Sequence, residues 1–149
     1  MDVTCILDTP IPVQVIFPSS SRMENTEAAY VASSGMGAIT SCILQICESG
    51  DEIIASRTIY GGTYAFLKNF LPKLGIKTHF IDITKINQVK ALVNSKTKMV
   101  YCETISNPLL EIADIPALAS ITKKHLSNLL LTIHSRLWLS RQLNWGPIL

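Results

Sequence analysis

Short apolar segments alternate with helical patterns across the middle of this chain, and this alternation constrains the fold more than any other feature. Between residues 27 and 131, strands are predicted at 52–55, 78–81, 99–102 and from 129, and helices at 37–47, 63–74, 84–93 and from 114 or 115. Strands separated by helices usually pair in parallel through right-handed crossovers. The sequence therefore predicts an α/β domain whose mostly parallel, doubly wound sheet has helices on both faces.

Three residues indicate where the predicted helices begin and end. Thr84 can cap the helix that follows it, because a threonine hydroxyl accepts from a free N–H of the first turn. Pro116 falls in the first turn of its helix, where the missing N–H costs nothing. Pro72 lies inside a helical pattern and predicts a kink or an early end there.

Composition excludes several classes of partner. The chain has 149 residues, of which 48% are hydrophobic and 16% charged, and a net charge of +2 with no basic run. We therefore expect neither a nucleic acid nor a membrane as partner. The early residues include Asp2, Asp8 and three prolines and form only short apolar runs, so we expect no signal peptide or membrane span.

Four cysteines indicate a reducing compartment. They stand at positions 5, 42, 47 and 102, without the spacing of a zinc site. We expect reduced, mostly buried thiols, no bound metal and a cytoplasmic location.

Three loops follow predicted strands or open predicted helices, where ligands bind in open α/β sheets. The Gly35–Met36–Gly37 turn at a helix start could present N–H groups and the positive helix end to a phosphate, although such a turn can equally be a simple helix entry. Tyr60, beside two glycines, could lie over a flat ring or simply pack in its turn. Asn107 precedes a proline, which by itself is ordinary turn chemistry.

Taken together, these loops resemble the pyridoxal-phosphate-dependent enzymes of cysteine and methionine metabolism, the cystathionine lyases and synthases and methionine gamma-lyase. Among these members the sequence is most similar to methionine gamma-lyase. The resemblance covers about residues 24–131, and its motifs are Ser34-Gly35-Met36-Gly37-Ala38, Gly50-Asp51-Glu52-Ile53-Ile54, Tyr60-Gly61-Gly62-Thr63, Gly75-Ile76 with Phe80-Ile81-Asp82, and Glu103-Thr104 with Asn107-Pro108.

The resemblance implies a fold, a cofactor and a role for each loop. The fold would be part of the large cofactor-binding domain of fold type I, the aspartate-aminotransferase-like class. Gly35 and Met36 would give N–H groups to the phosphate of pyridoxal 5′-phosphate. Tyr60 would stack on its ring and assist proton transfer as a catalytic residue, Asn107 would bond the ring hydroxyl, and Glu103 would support that loop. The reaction would be an elimination from a sulfur amino acid, in an oligomer with shared active sites.

Two groups that the resemblance requires for catalysis are missing. No Val-Asp-Asn-Thr-Phe follows the strand at Leu129, so no aspartate is present to keep the pyridine nitrogen protonated. No lysine follows Lys124, so the lysine that would form the Schiff base is also missing. We therefore expect a fragment of a carbon–sulfur lyase that is not catalytically competent alone.

A shifted reading frame would explain the unusual ends. We divide the chain into an irregular segment 1–22, a partial cofactor domain 23–131 and a tail 132–149, and predict that both ends are out of frame. If Leu131 to Ser135 are encoded TTG ACA ATA CAT TCN, reading from the third base gives Asp-Asn-Thr-Phe, the missing motif. A similar shift between Cys5 and Pro12 permits Tyr-Ser-Arg-Tyr-Ser-Asn-Pro, which resembles a phosphate-binding motif of the family. The DNA sequence decides this hypothesis.

Three alternatives remain open. The ends could belong to a real isoform, in which case Trp138, Leu139 and Trp145 would have to pack against something. The chain could be a non-catalytic subunit that associates with a full-length relative. It could also be an unrelated phosphate- or nucleotide-binding α/β module, although the turn at Gly35 lacks the usual nucleotide-binding patterns.

Overall fold

The computed structural model describes residues 3–7, 28–106, 109–125, 127–133 and 136–140. Within them the strands are β1 (Val3–Leu7), β2 (Ala28–Ala32), β3 (Glu52–Ser56), β4 (Lys77–Ile81), β5 (Thr97–Glu103), β6 (Asn128–Ile133) and β7 (Arg136–Ser140). The α-helices are α1 (Gly35–Ile46), α2 (Gly61–Ala65), α3 (Ile86–Leu92) and α4 (Ile115–Lys124). Helix α2 continues as a π-helical turn, Phe66–Phe70, and a 3-10 turn, Leu71–Leu74.

The strands form one sheet in the order β2-β1-β7-β6-β5-β3-β4. Strand β7 is antiparallel to both of its neighbours, and every other pair is parallel. The predicted mostly parallel α/β sheet is confirmed. Because β2, β3, β4 and β5 run in the same direction, the loops that follow them leave from one edge of the sheet.

Side chains from alternate positions of the central strands build a core on each face of the sheet. Ile53 and Tyr101 pack on one face with residues of α1 and of the helical run that begins at α2. Ile54 and Val100 pack on the other face with residues of α3 and α4. Each of these side chains is fully buried, which stabilises the fold by about 1.5–3 kcal/mol for an aliphatic one. Helices therefore cover both faces, as the sequence predicts.

Two of the three predicted helix signals are confirmed, and one is wrong. Pro116 stands in the first turn of α4, and Pro72 lies where the α-helical run has tightened into its 3-10 turn. Thr84 does not cap α3, whose first flanking residue is Lys85. Its hydroxyl instead donates to the Asp82 carboxylate at 2.6 Å, because an aspartate two residues earlier offers a charged acceptor within local reach.

Strands occur at both ends, where the sequence pattern predicts no regular element. Strand β1 lies within the segment 1–22, and β7 lies within the tail 132–149. Both are central in the sheet, where pairing on two sides compensates for the weak alternation of their residues. The prediction that these segments are out of frame concerns the DNA and stays a prediction.

None of the helices in the described part of the chain has the length and apolar character needed to cross a membrane.

Candidate cofactor site

The N-terminus of α1 has the chemistry of a phosphate cradle. Ser34 caps the helix, and its hydroxyl accepts from the Gly37 N–H at 3.0 Å. The first backbone bond of the helix runs from the Ala38 N–H to the Ser34 carbonyl at 2.9 Å. Among the described residues no acceptor reaches the N–H groups of Gly35 and Met36, and the first turn carries no carboxylate. Two donors and the positive end of a twelve-residue helix are thus available to an anion.

The ring of Tyr60 lies close to this helix end, and Gly62 makes the approach possible. A Cβ on Gly62 would lie 2.6 Å from Tyr60 Cε1 and 3.2 Å from Met36 Sδ, so both side chains flank the same glycine. Thr63 is fully buried, and its hydroxyl donates to Met36 Sδ at 3.8 Å. Tyr60 itself is 61% exposed. Its ring therefore offers an open aromatic surface next to Gly62, on which the Met36 side chain of α1 also lies.

Glu103 joins the loop after β5 to the Tyr60 turn. Its carboxylate Oε1 accepts from the Tyr60 N–H at 2.9 Å. Helix α2 has no side-chain cap of its own, so this contact from 43 residues away satisfies a donor at the helix start. This contact supports the backbone of the Tyr60 turn, whereas the predicted role of Glu103 in supporting the loop of Asn107 stays a prediction.

Asn107 and Pro108 lie outside the described residues. The residues on either side of them close a tight loop after β5. The Ser106 N–H donates to the Glu111 carbonyl, the Glu111 N–H donates to Ser106 Oγ, and both distances are 3.0 Å. Leu110 takes a positive φ of 54°, which lets the chain turn back. The predicted contact of Asn107 with a ring hydroxyl stays a prediction.

Three charged or hydroxyl side chains were missed by the sequence analysis. Arg57 and Thr58 lie between the end of β3 and Tyr60, and both side chains contact the carboxylate of Glu111. Each belongs to a loop that the sequence singles out, but their pairing spans more than 50 residues. A lone sequence carries no signal for such a pair, because charged residues in loops are usually solvated.

Two buried cysteine thiols have low reactivity. The pKa values of Cys47 and Cys102 are raised to about 12, mainly by burial and in smaller part by the nearby carboxylates of Asp51 and Glu103, respectively. Within the described part of the chain, Cys42, Cys47 and Cys102 are buried and form no disulfide, as the sequence predicts. Cys102 stands directly before Glu103 in β5, yet it is not a nucleophile at neutral pH.

Comparison with known proteins identifies the family. The sequence profile described as "Cys/Met metabolism PLP-dependent enzyme" matches residues 13–140. The chain belongs to this family. The family depends on pyridoxal phosphate, and its members include lyases that cleave carbon–sulfur bonds.

Curated relatives carry lyase names. The chain is 48% identical to methionine gamma-lyase of Arabidopsis thaliana over 101 residues, which cover 66% of this chain and 23% of that protein. It is 44% identical to L-methionine gamma-lyase of Treponema denticola over 69% of this chain and 26% of that protein. It is 39% identical to cystathionine gamma-lyase of Bacillus subtilis over 70% of this chain and 27% of that protein. The chain thus spans about a quarter of the length of these relatives.

Solved structures of the family share the fold. O-acetylhomoserine sulfhydrylase of Wolinella succinogenes matches 66% of this chain and 29% of its own, with a TM-score of 0.64 and 33% identity. A putative O-acetylhomoserine (thiol)-lyase of Campylobacter jejuni matches 65% of this chain and 24% of its own, with a TM-score of 0.63 and 32% identity. The expected fold-type I fragment is confirmed.

Proposed function

We propose that these 149 residues form the phosphate- and ring-binding part of a pyridoxal-phosphate-dependent carbon–sulfur lyase that acts on a sulfur amino acid. The observation that carries the proposal is the position of Tyr60, whose exposed ring lies on Gly62 together with the side chain of Met36, the second residue of α1. Neighbouring sites for a phosphate and for a flat ring suit a cofactor that has both.

Each residue has a physical task in this proposal. The N–H groups of Gly35 and Met36 bind the phosphate, assisted by the helix dipole. The ring of Tyr60 stacks on the pyridine ring, and its hydroxyl is positioned to move a proton. Glu103 holds the Tyr60 backbone through the bond to its N–H. When bound, the cofactor supplies an electron sink for a carbanion next to the amino group of the substrate.

Catalysis by these residues alone is not proposed. The segment directly after β6 provides no aspartate for the pyridine nitrogen. The proposal for these residues is therefore binding of the cofactor, without a catalytic step.

Binding of pyridoxine 5′-phosphate tests the proposal. This probe has no aldehyde, so it cannot react with surface lysines. Isothermal titration should show binding of pyridoxine 5′-phosphate at least about tenfold tighter than binding of pyridoxine, because only the former reaches the α1 N-terminus. Tyr60→Ala should weaken binding about twofold to tenfold through lost stacking. Tyr64→Phe is the matched control. It should leave binding unchanged, because the Tyr64 ring packs on the Phe80 ring, with 4.6 Å between the ring centroids.

Equal affinity for pyridoxine and pyridoxine 5′-phosphate would contradict the proposal. Equal effects of the two tyrosine variants would also contradict it, because they would place the ring site elsewhere.

A second candidate function is association with a copy of the chain or with a full-length relative. The loop after β5 exposes Ile105, Leu109, Leu110 and Ile112, each by 56–71%. Four exposed large apolar side chains on one short loop favour a protein contact. Light scattering after size exclusion should give a mass above 16.4 kDa, and Leu109→Ser with Leu110→Ser should shift it towards the monomer. A monomer at working concentration would exclude self-association.

The cytoplasm is the proposed location, and the buried cysteines at 42, 47 and 102, which form no disulfide among the described residues, support a reducing compartment.

A further inference from the structure

The turn that carries Tyr60 has little local structure to hold it. Helix α2 is only five residues long, and its first flanking residue, Tyr60, lacks a side-chain cap. Even with the π-helical and 3-10 turns that continue it to Leu74, the run is of a length at which an isolated helix is only marginally stable in water. The orientation of the Tyr60 ring must therefore depend on contacts made from outside the turn.

Glu111 supplies two of these contacts. Its Oε2 accepts from the Thr58 hydroxyl at 2.9 Å, and its Oε1 lies 3.3 Å from Arg57 Nη2. The Glu111 side chain is 24% exposed, so these bonds are partly shielded from water. One carboxylate thus fixes two successive residues of the segment that leads to Tyr60.

The backbone of Glu111 is itself fixed. It exchanges two hydrogen bonds with Ser106, a buried residue at the other end of the loop after β5. The loop between them contains Asn107. Glu111 therefore ties the Tyr60 turn to the base of a second loop that the sequence predicts to contact the cofactor ring.

A third loop joins the same network through Arg57. Its Nη2 lies 3.3 Å from Asp82 Oδ2, in the loop after β4, and Lys85 Nζ lies at the same distance from that oxygen. The Arg57 N–H also donates to the Ile81 carbonyl at 2.8 Å. Two cations and two carboxylates alternate across three loops at one sheet edge, which favours a single arrangement of these loops.

We propose that Glu111 is a positioning residue, which holds the Tyr60 turn against the loop after β5 and thereby sets the affinity of the site for the cofactor ring. The inference rests on the proposed function, because it assumes that the ring lies on Tyr60. Glu111 does not touch the cofactor in this proposal, and it acts through Thr58 and Arg57. The phosphate cradle on α1 shares no bond with Glu111 and should not depend on it.

The test compares Glu111→Ala and Thr58→Val with Glu48→Ala, an exposed control that lies before β3, whereas these loops follow the strands. Amide hydrogen exchange of a peptide spanning residues 57–64 should become about threefold to tenfold faster in the first two variants, with exchange in α3 unchanged. Affinity for pyridoxine 5′-phosphate should fall by a similar factor of about three to ten. Affinity for inorganic phosphate, followed by phosphorus NMR, should stay unchanged.

The outcomes distinguish failure of the proposed function from failure of this inference alone. If the unsubstituted chain does not bind pyridoxine 5′-phosphate, both the proposed function and this inference fail. If it binds, and Glu111→Ala leaves the affinity and the 57–64 exchange unchanged, only the inference fails. Equal loss of affinity for inorganic phosphate and for pyridoxine 5′-phosphate would also overturn it, because that result indicates general unfolding rather than positioning of the ring.

Discussion

Adding one methyl group at Gly62 should displace the Tyr60 ring without altering the rest of α2. A Cβ at this position would lie 2.6 Å from Tyr60 Cε1, whereas ordinary contact begins at 3.4 Å. The ring must therefore retreat by about 0.8 Å, and a ring forced from its rotamer costs about 0.5–1.5 kcal/mol. Gly62→Ala should thus weaken binding of pyridoxine 5′-phosphate about twofold to tenfold.

Gly61 offers a matched control in the same helix. A Cβ at Gly61 meets nothing within 4 Å, so Gly61→Ala adds the same methyl group without a clash. Each substitution also gains up to about 0.5–1 kcal/mol, because alanine loses less backbone entropy than glycine on forming a helix. Urea denaturation followed by circular dichroism should therefore place the midpoint of Gly61→Ala above that of Gly62→Ala. Titration with pyridoxine 5′-phosphate should show weaker binding only for Gly62→Ala.

Identical midpoints and identical affinities for the two variants would refute this reasoning. That result would mean that the Tyr60 ring does not lie against Gly62 in solution.

Three further predictions concern stability and reactivity. Ser34→Ala should lower the free energy of unfolding by about 1 kcal/mol, because α1 loses its cap, and urea denaturation measures the change. Cys47 and Cys102, whose pKa values burial raises to about 12, should resist iodoacetamide at pH 8 until urea unfolds the chain; rapid labelling of the native chain, read by peptide mass mapping, would argue against their burial. The pKa of Asp82 is lowered below 3.8, and the largest cause is the hydrogen bond from the Thr84 hydroxyl. The ionised Asp82 carboxylate therefore stabilises the fold above pH 3.8, and this stabilisation disappears as the pH falls through the lowered pKa. Between neutral and acidic pH, the free energy of unfolding of Thr84→Val should therefore fall less than that of the unsubstituted chain. An equal fall would contradict the role of Thr84 in lowering the pKa of Asp82.

Much of the fold follows from local patterns that survive in a single sequence. Strands β3 and β5 are buried on both faces of the sheet, so they appear in the sequence as continuous apolar runs bounded by turns. Pro116 and Pro72 act through the backbone of their own helices, and their effects could be predicted without knowing any neighbour. The phosphate cradle is equally local, because Ser34, Gly35 and Met36 are adjacent in the chain.

Other features depend on which hydrogen-bond partner a group finds. Thr84 is a residue type that often caps helices, but Asp82, two residues earlier, accepts from its hydroxyl instead. Strands β1 and β7 have little pattern of their own and form between partners that pair with them on both sides. The first outcome is a competition between two local partners, and the second depends on strands that are distant in the chain.

The sequence by itself determined the α/β class, the helix start at Gly35 to which we assign the phosphate, and the family that its motifs resemble, because these depend on short stretches of neighbouring residues. Only the tertiary structure brought the Tyr60 ring beside Met36 across Gly62 and joined Glu111 to Thr58 and Arg57. The reason is that hydrogen bonds and ring contacts depend on distance in space, and the parallel sheet brings loops from distant parts of the chain to one edge.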